Sequence, residues 1–332
     1  MTKLALALFR LKNFLYKKLP NDSFLYEVLL LLPRKIIMDS EMKNAVQLEM
    51  DEYLKKQNVG LFETIELETI NRCNGECSFC PVNRKDDKRK FKIMDEGLFK
   101  SIVNQLRDMD YDGRIQIFSN NEPLLDKRIC DFAKYVKETC SKAHLSIFTN
   151  GILLTEDKFN ELIKYCDTFC IDHYYEGEPK LPENIKKIVE ICNQTPILKR
   201  KVIIQMINKK EIRNNRGGQS KNRHFTYQLK TNCRLPFKQV IVRPDGKLSL
   251  CCNDALGVYT LGDLTQQTLI DVWNGEKYKS IRDTLAQKGR KGVALCKYCD
   301  NFGGFGQNES KNHVFTPAQF SSKWEQIAKL AD

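Results

Sequence analysis

The chain has no apolar run approaching the roughly 20 residues of a membrane span. Its early run Leu4 to Phe9 is too short, and too soon broken by charge, for a signal peptide. The glycine-rich stretch Gly303 to Gly306 lacks the Lys-Ser or Lys-Thr of a phosphate loop, which leaves it a flexible tail. No strand-rich winged-helix pattern, of the kind that reads a leader peptide, precedes residue 60. Acidic residues are in deficit: 54 lysines and arginines against 42 aspartates and glutamates give a formal charge of +12. That balance fits ordinary solubility or anionic company such as phosphorylated substrates or an acidic membrane surface; no nucleic acid is expected as a partner. What remains is a globular chain with the cytosol as its default compartment, and 332 residues at 42% hydrophobic content can bury a full-sized core.

What the chain does have is thirteen cysteines. In a cytosolic protein of this size, clustered cysteines bind metal or act in redox chemistry more often than they form disulfides. Cys73, Cys77 and Cys80 are spaced C-x3-C-x2-C directly after the apolar-rich run Phe62 to Ile70. Three thiolates on one short loop can hold three corners of an iron–sulfur cube and leave the fourth iron open, as a catalytic zinc is left one ligand short. Gly75 lets the loop turn tightly enough for its cysteines to face one centre. A structural zinc is the alternative, which three cysteines with no nearby fourth ligand fit poorly. A second constellation joins Cys233, Cys251 or Cys252, Cys296 and Cys299, four soft ligands that indicate a closed zinc or iron–sulfur site. Cys130, Cys140, Cys166, Cys170 and Cys192 fall in expected helices or strands and read as packing residues.

Residues Thr2 to Lys18 alternate apolar and basic positions as an amphipathic basic helix would, either capping the main domain or lying on a membrane surface. Helical runs follow at Asp22 to Leu32 and Ser40 to Gln57. From Phe62 the pattern alternates. Phe62 to Ile70, Arg114 to Ser119, His144 to Thr149, Thr168 to Asp172 and Val202 to Ile207 read as strands. Asp95 to Met109, Lys127 to Thr139, Thr155 to Tyr165 and Pro182 to Asn193 read as helices, with Thr155 and Pro182 as start signals. Such alternation implies a parallel sheet with its active site at the C-terminal strand ends. The polar stretch Arg213 to Arg223 is the natural boundary; beyond it Gln239 to Arg243 and Lys247 to Cys251 flank the turn Pro244-Asp245-Gly246 as a hairpin, and helices cover Thr268 to Trp273 and Lys277 to Gln287.

The first cysteine loop resembles the radical S-adenosylmethionine (SAM) superfamily, whose C-x3-C-x-Φ-C signature has an aromatic at Φ, here Phe79. Asn121-Glu122-Pro123 is similar to the family's Gly-Glu-Pro element near the methionine amino group, with Asn121 in place of Gly. Thr149-Asn150-Gly151 is similar to its Thr-Asn-Gly turn, and Asp172 and Gln205 occupy pocket positions at later strands. The region from Cys233 resembles the SPASM and twitch extensions: C-x12-G-x4-C from Cys233 to Cys251, a closing C-x2-C at Cys296 and Cys299, and Asn215-Arg216-Gly217-Gly218 ahead of it. The family spacing selects Cys251 as ligand, with Cys252 as the alternative. No cysteine follows Cys299, which implies one auxiliary cluster.

The resemblance implies an α/β fold, a partial (β/α)6 barrel over residues 61–212, an N-terminal helical extension over 1–60, an auxiliary iron–sulfur domain over 213–310 and a tail over 311–332. It implies a three-cysteine [4Fe-4S] cluster with SAM on the open iron, one auxiliary [4Fe-4S] cluster and a flavodoxin- or ferredoxin-like electron donor. The implied reaction cleaves SAM to a 5′-deoxyadenosyl radical, abstracts a substrate hydrogen and sends an electron to the auxiliary cluster. An oxidoreductase acting on a sugar, aminocyclitol or phosphorylated metabolite is the expected function. A peptide- or protein-modifying maturase and a non-catalytic iron–sulfur or zinc scaffold are the alternatives. Asp254, just beyond the auxiliary ligand, is the expected acceptor of the substrate proton. The basic run Arg84 to Lys90 reads as a solvated loop, or as a docking site for an anionic substrate or an electron donor.

Overall fold

The structure, a computed structural model, describes residues 19–20, 22–28, 39–82, 87–224, 226, 228–301, 324, 327 and 329–331, without the side chains of 39–45. The expected helix at Thr2 to Lys18, residues 29–32 of the second helical run, residues 84–86 of the basic run and the Gly303 to Gly306 tail lie outside the described residues.

Alternating apolar residues build a single sheet. Strands β1 (Thr64–Leu67), β2 (Arg114–Gln116), β3 (His144–Thr149), β4 (Thr168–Tyr175) and β5 (Val202–Asn208) follow one another in parallel. The positions facing away from the strand ends' polar side, such as Ile65, Leu67, Ile115, Leu145, Ile147, Phe169 and Ile171, are fully buried against helices. Those helices are α2 (Glu96–Asp108), α3 (Ile129–Thr139), α4 (Glu156–Leu162) and α5 (Glu183–Gln194), preceded by α1 (Asp39–Lys56). Each long one buries a stripe at helical spacing, Phe99, Ile102, Val103 and Leu106 on α2, and Ile185, Ile188, Val189 and Cys192 on α5. Asp95 caps α2 by accepting from the Leu98 N–H at 3.0 Å, and Thr155 caps α4 through Lys158.

The opposite face of the sheet is polar. Register places Glu66 beside Gln116, Gln116 beside Ser146, and Asp172 beside Gln205 on that face. Parallel sheets in which both faces are covered read as continuous apolar runs. Glu66, Gln116 and Ser146 on this face are nevertheless buried, so it is covered rather than left to solvent.

The hairpin expected in the auxiliary region does not form a sheet of its own. Strand β6 (Gln239–Val242) pairs in parallel with the free edge of β1, and β7 (Leu248–Ser249) returns antiparallel, giving the order β5-β4-β3-β2-β1-β6-β7. The sheet therefore runs across the sequence boundary at 213. After the four-residue helix α6 (Leu235–Lys238) leads into β6, α7 (Leu269–Asn274) and α8 (Glu276–Lys288) close the far side. Trp273 of α7 is fully buried, packs edge-on against Phe62 at 5.4 Å, donates to the Gly60 carbonyl at 2.8 Å and lies 4.0 Å beneath the Arg282 guanidinium. The auxiliary segment and the start of β1 thus share one core.

Candidate active site

The first cysteine loop crosses the C-terminal ends of the strands from β1 to β5. Asn71 pins its start to the returning chain, donating to the Lys90 carbonyl at 2.7 Å and accepting from the Lys92 N–H at 2.9 Å. Ser78 pins its far side, its N–H and hydroxyl both donating to the Lys209 carbonyl just past β5. Phe79 is buried among Cys77, Ile207 and Tyr174 and carries the Arg213 guanidinium over its ring at 5.5 Å, so it anchors the loop to the ends of β4 and β5. The Gly75 N–H donates to Cys73 Sγ at 3.2 Å, and Asn150 Nδ2 approaches the same sulfur at 3.7 Å. Burial pushes the Cys73 thiol up to about 11, with the Glu122 carboxylate and Cys80 adding to the effect.

The Asn121-Glu122-Pro123 and Thr149-Asn150-Gly151 elements meet in one hydrogen-bonded knot. Glu122 is 1% exposed. Its carboxylate accepts from Thr149 Oγ1 and the Asn150 N–H, each at 2.7 Å, and from the Leu124 N–H at 3.0 Å, while its own N–H donates to the Arg72 carbonyl. Burial raises its pKa despite these donors. Glu122 is thus spent on fixing the turns around Cys73. Asn121 accepts from the Ser119 N–H through Oδ1, but its Nδ2 is buried without a partner. Asp172 and Gln205 stand side by side on β4 and β5, both within reach of the Cys170 thiol, at 3.5 and 3.4 Å.

The second constellation gathers around a buried guanidinium. Cys233, Cys251, Cys296 and Cys299 are each 5 to 7% exposed. Among the described residues no three cysteine, histidine or carboxylate side chains close tightly on one point; the grouping of these four shows in their mutual electrostatics. Burial, then the neighbouring thiols of Cys252, Cys233, Cys296 and Cys299, push Cys251 far above the thiol range. Burial likewise pushes the Cys252 thiol up, with Glu66 and Cys233 adding to the effect and Arg216 and Gln239 opposing it. Arg290, which sequence spacing does not mark, is 3% exposed and faces all four thiols while donating to the carbonyls of Thr231 at 2.6 Å and Asn301 at 2.7 Å. Buried thiolates need compensating positive charge. One fixed cation plus a polynuclear iron centre fits that need; at the first loop the partnerless Asn121 Nδ2 separately leaves a donor for a polar ligand.

Asp254 is 1% exposed and braces its own loop. Oδ1 accepts from the Val258 N–H at 2.8 Å and Oδ2 from the Tyr259 N–H at 3.0 Å, with longer bonds from Gln219 and Leu250. A different carboxyl faces the interior. Glu66 accepts from Gln239 Nε2 at 2.7 Å and Gln116 Nε2 at 3.4 Å, and burial pushes its pKa up to about 7. The polar alternation Thr64, Glu66, Glu68 between Ile65 and Leu67 was the signal that could have found it.

The two cysteine groups are joined by the loop after β2. Its Glu122 N–H holds the Arg72 carbonyl beside Cys73, and its Asn120 Nδ2 holds the Cys252 carbonyl at 3.2 Å beside Cys251. Arg216 bonds the same Asn120 through Oδ1. The next residue, Gly217, has φ 61°, and a Cβ there would sit 2.7 Å from Leu295 Cδ1 and 2.9 Å from its carbonyl. We expect Gly217→Ala to lose about 1–3 kcal/mol in chemical denaturation, because left-handed backbone and a collision act together.

Residues 67–175 match the radical SAM superfamily, and residues 233–300, which begin at Cys233 and end just past Cys299, match the SPASM iron–sulfur cluster-binding domain. The S-adenosyl-L-methionine-dependent 2-deoxy-scyllo-inosamine dehydrogenase of Niallia circulans is 27% identical over 242 residues, which are 73% of this chain and 94% of that protein. The crystal structure of BtrN in complex with AdoMet and 2-DOIA superposes with a TM-score of 0.63 at 27% identity, covering 73% of this chain and 94% of BtrN. BtrN in an open conformation gives a TM-score of 0.53 at 25% identity, covering 73% and 93%. With both cysteine groups, the polar-faced sheet and the two domain matches in agreement, the chain is a radical SAM enzyme with a SPASM-type iron–sulfur domain.

Proposed function

We propose that this enzyme is a dehydrogenase that oxidises a carbinol carbon of a small polyhydroxylated molecule, an aminocyclitol or a sugar, to a ketone. The observation that carries this reading is the loop Ser119 to Pro123, which touches the backbone beside Cys73 with one residue and the backbone beside Cys251 with another. A substrate held under that loop lies between both cysteine groups. The similarity to a scyllo-inosamine dehydrogenase along nearly its whole length supports the substrate class.

When bound, SAM and the three-cysteine cluster supply a hydrogen-abstracting radical, and the auxiliary cluster supplies an acceptor for one electron. Alcohol to ketone also requires a proton to leave the hydroxyl. Glu66 is placed to take it: the carboxyl faces the interior, two amide side chains orient it, and its titration near neutrality matches the task. Asp254 keeps the auxiliary loop in shape. Asn121 Nδ2 offers a hydrogen bond to a polar ligand beside the first loop, with Asp172 and Gln205 on the adjoining wall. Exposed Lys88, Lys90 and Lys92 flank exposed Phe91 on the chain returning from that loop, a surface suited to an acidic flavodoxin- or ferredoxin-like donor. A reducing, cytoplasmic setting belongs to the same reading. Among the described residues no helix is long and apolar enough to cross a membrane.

Anaerobic reconstitution with iron and sulfide tests the proposal. We expect about eight irons per chain and, with a low-potential reductant and 2-deoxy-scyllo-inosamine or related polyols as probes, one 5′-deoxyadenosine per ketone. Zinc filling both sites, or SAM left uncleaved, sinks the enzyme reading; cleavage coupled only to peptide substrates replaces it with a maturase.

A further inference from the structure

Three chain segments far apart in sequence meet at one arginine, Arg223, whose side chain is 8% exposed. Glu27 and Asp300 are both 0% exposed, and Arg223 lies between them, Nε 2.7 Å from Glu27 Oε1 and Nη2 2.7 Å from Asp300 Oδ2. Its remaining nitrogen donates to the Arg213 carbonyl. The second oxygen of Glu27 accepts from the His224 N–H at 2.8 Å, and Tyr26, 1% exposed, reaches Glu211 at 3.4 Å. Asp300 directly follows Cys299. Its Oδ1 accepts from the Asn215 N–H at 2.7 Å, and Asn215 Nδ2 donates to the Tyr298 carbonyl, between Cys296 and Cys299, at 2.6 Å. The same segment reaches the first cysteine loop, where Asn222 Nδ2 donates to Ser78 Oγ at 3.0 Å and to the Glu211 carbonyl at 3.0 Å.

A solvent-exposed ion pair would mean little. A largely buried guanidinium between two fully buried carboxylates is different, because removing one partner strands the others uncompensated and the loop they hold must move. No radical or electron needs Glu27. What the pairing accomplishes is mechanical: the segment 22–28, which precedes the whole sheet, reaches through Arg223 to the residue next to an auxiliary ligand.

We propose that Glu27 is a positioning residue for the auxiliary site, acting through Arg223 and Asp300 to hold the Cys296–Cys299 loop against residues 211–224. Segment 22–28 is then a clamp that keeps the second cysteine group closed and in register with the first. This rests on the reading of Cys233, Cys251, Cys296 and Cys299 as an iron–sulfur site.

The test is reconstitution of full-length wild type, Glu27→Gln and the charge-retaining Glu27→Asp, read by iron and sulfide content and by electron paramagnetic resonance of the reduced protein. The wild type is the control for the underlying reading: if it binds only one cluster, that reading fails whatever the variants do. Given a wild type with two clusters, Glu27→Gln is expected to lose at least half of the auxiliary iron and its resonance, with the first cluster's signal and reductant-dependent SAM cleavage within twofold of wild type. Glu27→Asp is expected to restore more than half of the lost signal. Full loading of both clusters in Glu27→Gln overturns the clamp. So does equal loss of both clusters in a protein whose circular dichroism is unchanged, since that would make Glu27 a general brace. Should Glu27→Gln fail to fold, Arg223→Lys, which keeps the charge but not the two-pronged geometry, is scored by the same outcomes.

Discussion

A Cys77→Ala variant is expected to form no 5′-deoxyadenosine above background, while Cys296→Ala keeps cleaving SAM and loses the ketone. Loss of an outer partner to a metal ligand costs about 10–100-fold in affinity or activity, and loss of a ligand itself should cost more. Cys77 is buried with Phe79 and Ile207 under the loop anchored at Lys209, so alanine there empties one corner of the site without disturbing the strands beneath. Cys296 sits in the other group, facing Cys233, Cys299 and Arg290. Its removal leaves the Glu122 knot around Cys73 intact, and cleavage continues without a place for the substrate electron. The yield of ketone per 5′-deoxyadenosine should then fall by at least about tenfold. Both products are quantified by liquid chromatography from the same anaerobic reaction. Parallel loss of both products in both variants, with far-ultraviolet circular dichroism unchanged, removes the division of labour between the two cysteine groups.

Much of this site is local in the chain and therefore readable from it. The C-x3-C-x-Φ-C loop lies within eight residues, and its position after a strand follows from the change in periodicity at Phe62. Thr155 and Pro182 cap helices where their backbone preferences place them. The parts that escaped reading depend on partners distant in sequence. Nothing in Gln239 to Val242 says that it pairs with β1, since strand periodicity encodes which face is buried and not which neighbour is chosen. The stretch from Arg213 reads as a linker because it is polar; its polar groups are satisfied by Asp300, Tyr298 and Ser78, none of them nearby in sequence. Asp254 looks available three residues past Cys251, yet the turn that places it there surrounds it with N–H donors. Arg290 and Glu66 acquire meaning only when the thiols and amides around them are assembled.

Replacing Glu66 by glutamine is expected to separate proton transfer from every other step. Burial pushes this carboxyl up to about 7, against a hydrogen bond from Ser119 and the guanidinium groups of Arg216 and Arg114, which pull it down. Below that pH the carboxyl is protonated and cannot accept, so wild-type ketone formation should fall as pH drops through about 7 while SAM cleavage does not. Glu68, pushed up to about 8 by burial and opposed by Arg89 at 3.6 Å, titrates close by, and only the single variant assigns the limb. In Glu66→Gln the limb attributable to this group disappears and ketone formation drops by about 10²-fold or more, the usual scale of a lost general base. Stability moves in the opposite direction, and its sign follows from linkage. In the unfolded chain a glutamate loses its proton near ~4.3, whereas the folded chain keeps it to about 7. Between those values the native state binds more protons, so stability falls as pH rises, by up to roughly 4 kcal/mol above the folded pKa. Glutamine carries no such penalty. The variant should therefore melt with wild type at pH 4 and above it at pH 8, while being the poorer dehydrogenase above about 7 and converging on wild type at lower pH, where the wild-type carboxyl is protonated. Calorimetry at the two pH values and the ketone yield across the range test both halves. A variant that keeps the wild-type pH profile and yield takes Glu66 out of the proton's path.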